Sequence, residues 1–227
     1  MAEHATQAEP VESEQGLLAT IGWRLGPDRP IVYTIEGSVF VTGAAVQWLR
    51  DGLGLISDSS EVETLAARVD DSGGVVFVPA FVGLGAPYWD PDARGTISGL
   101  TRGSGGAQPA RATLDAIAFQ VRDIVEAIDG DLGSPLTVVR VDGGGAGDLV
   151  CQLIADQVGR PVERPAVRET TAFGVAALAG LAVGFWSDPG EVAGIRSVDR
   201  RFLPRGEAGQ REAAYRAWRH AVERSRA

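Results

Sequence analysis

Residues 136–158 begin Leu136-Thr137-Val138-Val139-Arg140-Val141 and continue Asp142-Gly143-Gly144-Gly145-Ala146-Gly147-Asp148. Leu149, Val150, Leu153, Ile154 and Val158 follow with helical spacing. The pattern is strand, glycine turn, helix. Glycines let a backbone approach a bound group closely, and the first N–H groups of a helix lack an intrahelical partner. Such a turn can hold the phosphates or the sugar of a nucleotide. A tight strand-to-helix connection that binds nothing is the other reading. The stretch does not match the dinucleotide G-x-G-x-x-G pattern, and no G-x-x-x-x-G-K-[ST] loop occurs in the chain.

Outward from this stretch, alternating strand and helix signals give an α/β domain. Leu17–Leu25 and Ile31–Phe40 read as strands around a turn at Gly26-Pro27-Asp28. A helix starts at Thr42 or Gly43, with Ala45, Val46, Trp48, Leu49 and Leu53 on one side; Glu61–Val69 is a shorter one. Val75–Pro79 is a buried strand and Thr96–Leu100 a short one, joined by a loop rich in Gly, Pro and aromatics. Pro109–Ile128 has the 3.6-residue period, Pro161–Arg164 is a short strand, Thr170–Gly184 a small-residue helix, and Glu207–Arg224 an amphipathic one. Residues 1–15 are polar and acidic without periodicity, which predicts a disordered lead-in ahead of a domain over 16–227.

Composition narrows the function. Of 227 residues 44% are hydrophobic, enough for a real core, and the net charge of −9 argues against nucleic-acid binding. All 21 basic residues are Arg, so chemistry that depends on Lys is excluded within this chain. The single cysteine, Cys151, falls in the helical pattern and reads as a core residue. With His4 and His220 near opposite ends, no zinc site is expected. No run reaches the ~20 apolar residues that span a bilayer, and the acidic start is no secretory signal, so a cytoplasmic location is the expectation.

Several segments together resemble the carboxy-terminal domain of the glycerol kinases, in the FGGY carbohydrate-kinase family. The strongest is Pro79-Ala80-Phe81-Val82-Gly83-Leu84-Gly85-Ala86-Pro87-Tyr88-Trp89-Asp90-Pro91-Asp92-Ala93-Arg94-Gly95. Gly99-Leu100-Thr101-Arg102-Gly103, Tyr33-Thr34-Ile35-Glu36-Gly37, Gln47-Trp48-Leu49-Arg50-Asp51 and Glu169-Thr170-Thr171-Ala172-Phe173-Gly174 match in the family's order. The resemblance implies an RNase-H-like, actin-like ATPase domain. It implies ATP or ADP with Mg²⁺ as cofactor, glycerol as phosphoryl acceptor, and a second, amino-terminal kinase half as partner. That half would carry the glycerol contacts and the catalytic aspartate, so no catalytic and no metal-binding residue is expected here.

Carried over residue by residue, the resemblance places nucleotide contacts at Gly95, Thr96, Ile97 and Gly99, and at Gly144 in the opening turn. Gly147 or Asp148 stands where the family has an Asn, which should weaken the nucleotide site. Asp90, Asp92 and Asp142 read as structural, and Glu169-Thr170-Thr171 as a helix cap. The family's central first strand, with a Thr-Gly-Cys-Phe sequence, has no counterpart here. Two interior strands are therefore expected to lack a ladder partner. Two classes of function follow: the nucleotide-side half of a kinase that is inactive alone, or a non-catalytic remnant or binding module. Neither nucleic acid nor membrane is an expected partner, and a homo-oligomer through an open sheet edge stays open.

Overall fold

In a computed structural model, residues 6–7 and 9–226 are described. The amino-terminal part of the expected lead-in lies outside them. Its described part includes β1 (Thr6–Gln7), which pairs antiparallel with β3 (Ile31–Glu36). Further on, Ser13 donates to Asp131, and the Glu14 and Gln15 amides donate to the same carboxylate at 2.9 and 3.2 Å.

The strands form three small sheets. β2 (Leu18–Arg24) and β1 flank β3, in the order β1-β3-β2. β4 (Val76–Val78) pairs antiparallel with β5 (Thr96–Ser98). β6 (Val139–Arg140) runs parallel to β7 (Val162–Pro165), and β7 pairs antiparallel with β8 (Val198–Phe202). The apolar run at 136–141 thus yields a paired strand of only two residues. β8 and a helix before it, over Pro189–Ile195, carry no strong periodic signal in the sequence.

Helices supply most of the core. α1 (Gly43–Asp51) buries Ala45, Val46 and Leu49, while Leu53, expected on the same face, lies beyond the helix end and is exposed. A 3₁₀ turn (Ser59–Glu61) leads into α2 (Val62–Ala66). α3 (Ala107–Leu132) is longer than its period predicts, and ends at Gly133 in the left-handed conformation that glycine tolerates. α4 (Asp148–Val158) packs along α3, where Cys151 joins the main core as expected, with burial pushing its thiol up to about 11. α5 (Thr170–Ala182), α6 (Pro189–Ile195) and α7 (Ala208–Ser225) complete the set.

A second core joins β4, the 79–95 loop, α3 and α7 around Phe119 and Trp218, and its central polar group is Asp123 on α3, which is buried. Its carboxylate accepts hydrogen bonds from Tyr88 Oη at 3.0 Å, Tyr215 Oη at 2.5 Å and Trp218 Nε1 at 3.1 Å. These bonds fix α7 and the aromatic 79–95 loop onto α3. Burial raises the Asp123 pKa, and the three donors partly offset that rise. The stability tied to this group is therefore complete below the ordinary carboxylate range and is lost as pH rises through the elevated folded value. Chemical denaturation across pH should show the native chain losing stability relative to Asp123→Asn as pH rises; parallel profiles would contradict this. Trp218, fully buried, should cost about 3–5 kcal/mol when cut to Ala.

Candidate functional site

The glycine turn projects from β6, whose geometry β7 dictates. Val139 N–H donates to Pro161 O and Val141 N–H to Glu163 O, both at 3.0 Å. The chain then leaves the sheet. Gly143 N–H donates to Arg168 O at 3.1 Å and Ala146 N–H to Gly143 O at 3.2 Å, before Gly147 caps α4 with an extended backbone.

Two charged side chains hold the turn. Arg164, buried on β7, donates through Nη1 to Ala146 O at 3.0 Å and to Asp148 Oδ1 at 2.7 Å. Its Nη2 reaches Asp199 Oδ2 at 2.6 Å, so the guanidinium ties the turn to β8. Arg200 also pairs with Asp148. An Asp in the first turn of α4 is favourable against the helix dipole as well. From the opposite side, Glu63 Oε1 on α2 accepts the Val150 N–H at 3.0 Å.

Between the turn and α1 lies a cavity of about 800 Å³. Thr42, Gly43 and Gln47 at the start of α1 form one wall, and Ser59, Ser60 and Glu63 another. Asp142, Gly144, Gly145 and Gly147 form the rim of the turn, with Leu114, Ile117, Val150 and Ile154 in the apolar floor. This volume lies within the usual range for small-molecule sites, as does the mix of apolar surface and a few polar groups. A Cβ on Gly144 would meet nothing within 4 Å, so this backbone faces open space. Gly43 is open in the same way. Among the described residues no group of three or more His, Cys, Asp or Glu side chains could hold a metal ion.

The structure brings together only part of the expected set. Gly144 and Gly147 line the cavity. Asp148 does not; its carboxylate is committed to Arg164 and Arg200. Gly95, Thr96, Ile97 and Gly99 lie in and around β5, outside the cavity lining. Close packing accounts for two of them. A Cβ on Gly95 would press on the Phe81 ring at 3.0 Å, and one on Gly99 would overlap the Gly74 carbonyl oxygen, at a φ of +78°. Sequence reasoning missed Thr42, Gly43, Gln47, Ser59, Ser60 and Glu63. The available signal was the Gly43–Gln47 spacing, one helical turn at the start of a helix that follows a strand.

Two further surfaces bear on the site. An apolar groove of about 560 Å³ runs between β6 and the segment after β3, lined by Gly37, Val39, Ile124, Val138 and Phe173 among others. No described strand bridges the β1-β3-β2 sheet and β6 across it. α5 is apolar on every side, yet Ala177 alone among its described residues is buried. Val175 is 65% exposed, and Val183 and Phe185 just beyond α5 are 82% and 75% exposed. A helix apolar all round is normally a covered one.

Comparison with known proteins agrees with this architecture. The profile of the FGGY family of carbohydrate kinases, C-terminal domain, matches residues 2–183. The chain belongs to that family. A glycerol kinase of Aromatoleum aromaticum is 57% identical over 222 residues, which cover 97% of this chain and 44% of that protein. Glycerol kinase 2 of Thermotoga maritima is 54% identical over 215 residues, 94% of this chain and 43% of its own length. The crystal structure of Plasmodium falciparum glycerol kinase with ADP superposes with a TM-score of 0.87 at 34% identity, covering 96% of this chain and 44% of that one. The chain thus spans less than half the length of the relatives it matches, and its fold is the actin-like one of the FGGY kinases. No described helix is long and apolar enough to cross a membrane.

Gly99 offers a direct check on its assignment. Gly99→Ala should lower stability by about 1–3 kcal/mol from backbone strain alone, read as a fall in the denaturation midpoint. An unchanged midpoint would contradict the packing role and return β5 to consideration as a ligand surface.

Proposed function

We propose that this chain, over residues 16–227, is the nucleotide-side domain of a glycerol kinase, the enzyme that transfers the γ-phosphoryl group of ATP to glycerol to give ADP and glycerol 3-phosphate. The observation that carries the reading is the cavity at the glycine turn, set in a chain more than half identical to glycerol kinases along nearly its whole length. In this reading the cavity takes the adenosine end of the nucleotide. Gly144 lets it approach the turn, Gly43 and Gln47 close the opposite wall, and the apolar floor receives the base.

Phosphoryl transfer rests on positioning and electrostatic stabilisation of an in-line transition state. This chain's residues bind and orient the nucleotide. The base for the acceptor hydroxyl and the glycerol pocket belong to the amino-terminal domain of the kinase. When bound with the nucleotide phosphates, Mg²⁺ would supply charge neutralisation there. The exposed apolar surface of α5 supports such a second domain as partner, because it gives that surface something to cover it. The location proposed is cytoplasmic.

Three outcomes are expected of the 227-residue chain by itself. ADP should bind with a dissociation constant of about a millimolar, near ~4 kcal/mol, because half a cleft leaves one side of the ligand in water. Calorimetry should find this binding lost in Gly144→Val, with the melting temperature nearly unchanged, since the added side chain enters open space. Glycerol-dependent ATP turnover should be absent. Micromolar ADP binding, indifference to Gly144→Val, or robust turnover would each contradict the reading. Co-expression with the amino-terminal domain of a close relative should slow hydrogen exchange over residues 170–185. Unchanged exchange there in a stable complex would remove α5 from the interface.

A further inference from the structure

Glu63 gives the cavity a polarity. It is half-buried on α2 and lines the cavity beside Gly147 and Val150. Its Oε1 accepts the Val150 N–H at 3.0 Å. A Cβ added to Gly147 would run into the Glu63 carboxylate, so the absence of a side chain at 147 leaves room for that group. The exposed amides at the start of a helix ordinarily welcome a phosphate. At α4 an anion belonging to the protein already holds that place. A phosphate brought to the same amides would face a carboxylate a few ångströms away, and like charges at that range repel. Arg140, the cation in the lining, has its Nε 3.6 Å from the Glu163 carboxylate on the neighbouring strand. Asp142 adds negative charge to the rim.

A carboxylate in that place is a good acceptor for neutral donors, and hydrogen bonds to charged groups are the stronger kind. We propose that Glu63 sets the direction in which a nucleotide enters. It accepts from neutral donors of the nucleoside, its sugar hydroxyls or exocyclic amine, and turns phosphate away from the glycine turn. The phosphates then point out of the cavity, toward the side where transfer takes place. The proposal rests on the reading of this cavity as a nucleotide site and assigns a selecting group within it.

The test uses the full chain, with adenosine, ADP and pyrophosphate as probes at fixed ionic strength. For the native protein, adenosine and ADP should bind within a few-fold of each other, and pyrophosphate should not compete with adenosine. Glu63→Gln keeps the shape and an acceptor for Val150 N–H but removes the charge. Adenosine affinity should then fall about fivefold, and pyrophosphate should begin to compete. An unchanged preference for adenosine over pyrophosphate in Glu63→Gln, whatever happens to the melting temperature, would leave Glu63 as a partner of α4 alone and overturn the proposal. If the variant fails to fold, competition by pyrophosphate in the native protein overturns it, and the absence of competition supports it. If adenosine binds neither protein, the nucleotide reading itself fails and the role of Glu63 falls with it. Binding with unaltered selectivity removes only the latter.

Discussion

The structure depends on burying α3, a helix of 26 residues that other elements cover on most sides. α1, α2 and α4 pack on one flank around Leu114 and Ala118, and β4 and α7 on another around Ala116 and Phe119. Full burial removes water from polar groups as well as apolar ones, and an unpartnered polar group inside is costly. The buried polar residues of α3 each make at least one hydrogen bond, and among their described buried side-chain N and O atoms only Arg122 Nη1 has none. Thr113 bonds to Pro109 O, Gln120 to Val41 O, Arg122 to Glu126 and Glu212, and Asp123 to two phenols and an indole. Pro109 and Glu126 belong to α3 itself, but Val41, Glu212, Tyr88, Tyr215 and Trp218 come from distant parts of the sequence, so satisfying α3 helps fix where α1, the 79–95 loop and α7 sit.

The cavity follows from the same constraint. α3 supplies its floor, α1 and α2 its walls, and α4 carries the glycine turn at its rim. The turn contains four glycines between Asp142 and Asp148 and has little stiffness of its own. Arg164 on one side and Glu63 on the other replace that stiffness with charged hydrogen bonds to Ala146, Asp148 and Val150. A backbone open to solvent at Gly144 is thereby kept in one place, which is what a ligand approaching main chain requires.

Much of this was legible in the sequence. The strand-turn-helix at 136–158, the helical period of α3 and α4, and the core role of Cys151 all stand in the structure, and the likeness to the FGGY carboxy-terminal domain is upheld by the family match. Period-2 and period-3.6 signals report which side of an element is apolar, and those elements bury one side. β8 was missed because its sequence, Val198-Asp199-Arg200-Arg201-Phe202, is mostly charged; its Asp199 is a partner of Arg164, not a surface residue at random. The site was legible only in part. Of the expected nucleotide contacts, Gly144 and Gly147 line the cavity while Gly95 and Gly99 lie around β5, and the close packing at Gly95, Gly99 and Gly147 is something a sequence does not display. Glu63 and Gln47 come to the cavity from other elements, and only tertiary contact brings them there.

In the proposed reading, one cavity bounded by α1, α2 and the glycine turn takes the adenosine end of a nucleotide. Amide chemical shifts of the full chain, followed through a titration with ADP, test this most directly. Shifts should move first and furthest at residues 42–47, 59–63 and 142–150, with one common saturation curve, while residues 94–99 stay near their starting positions. Shifts concentrated at 94–99 with the glycine turn unmoved, or no saturable change at any of these sites, would contradict it.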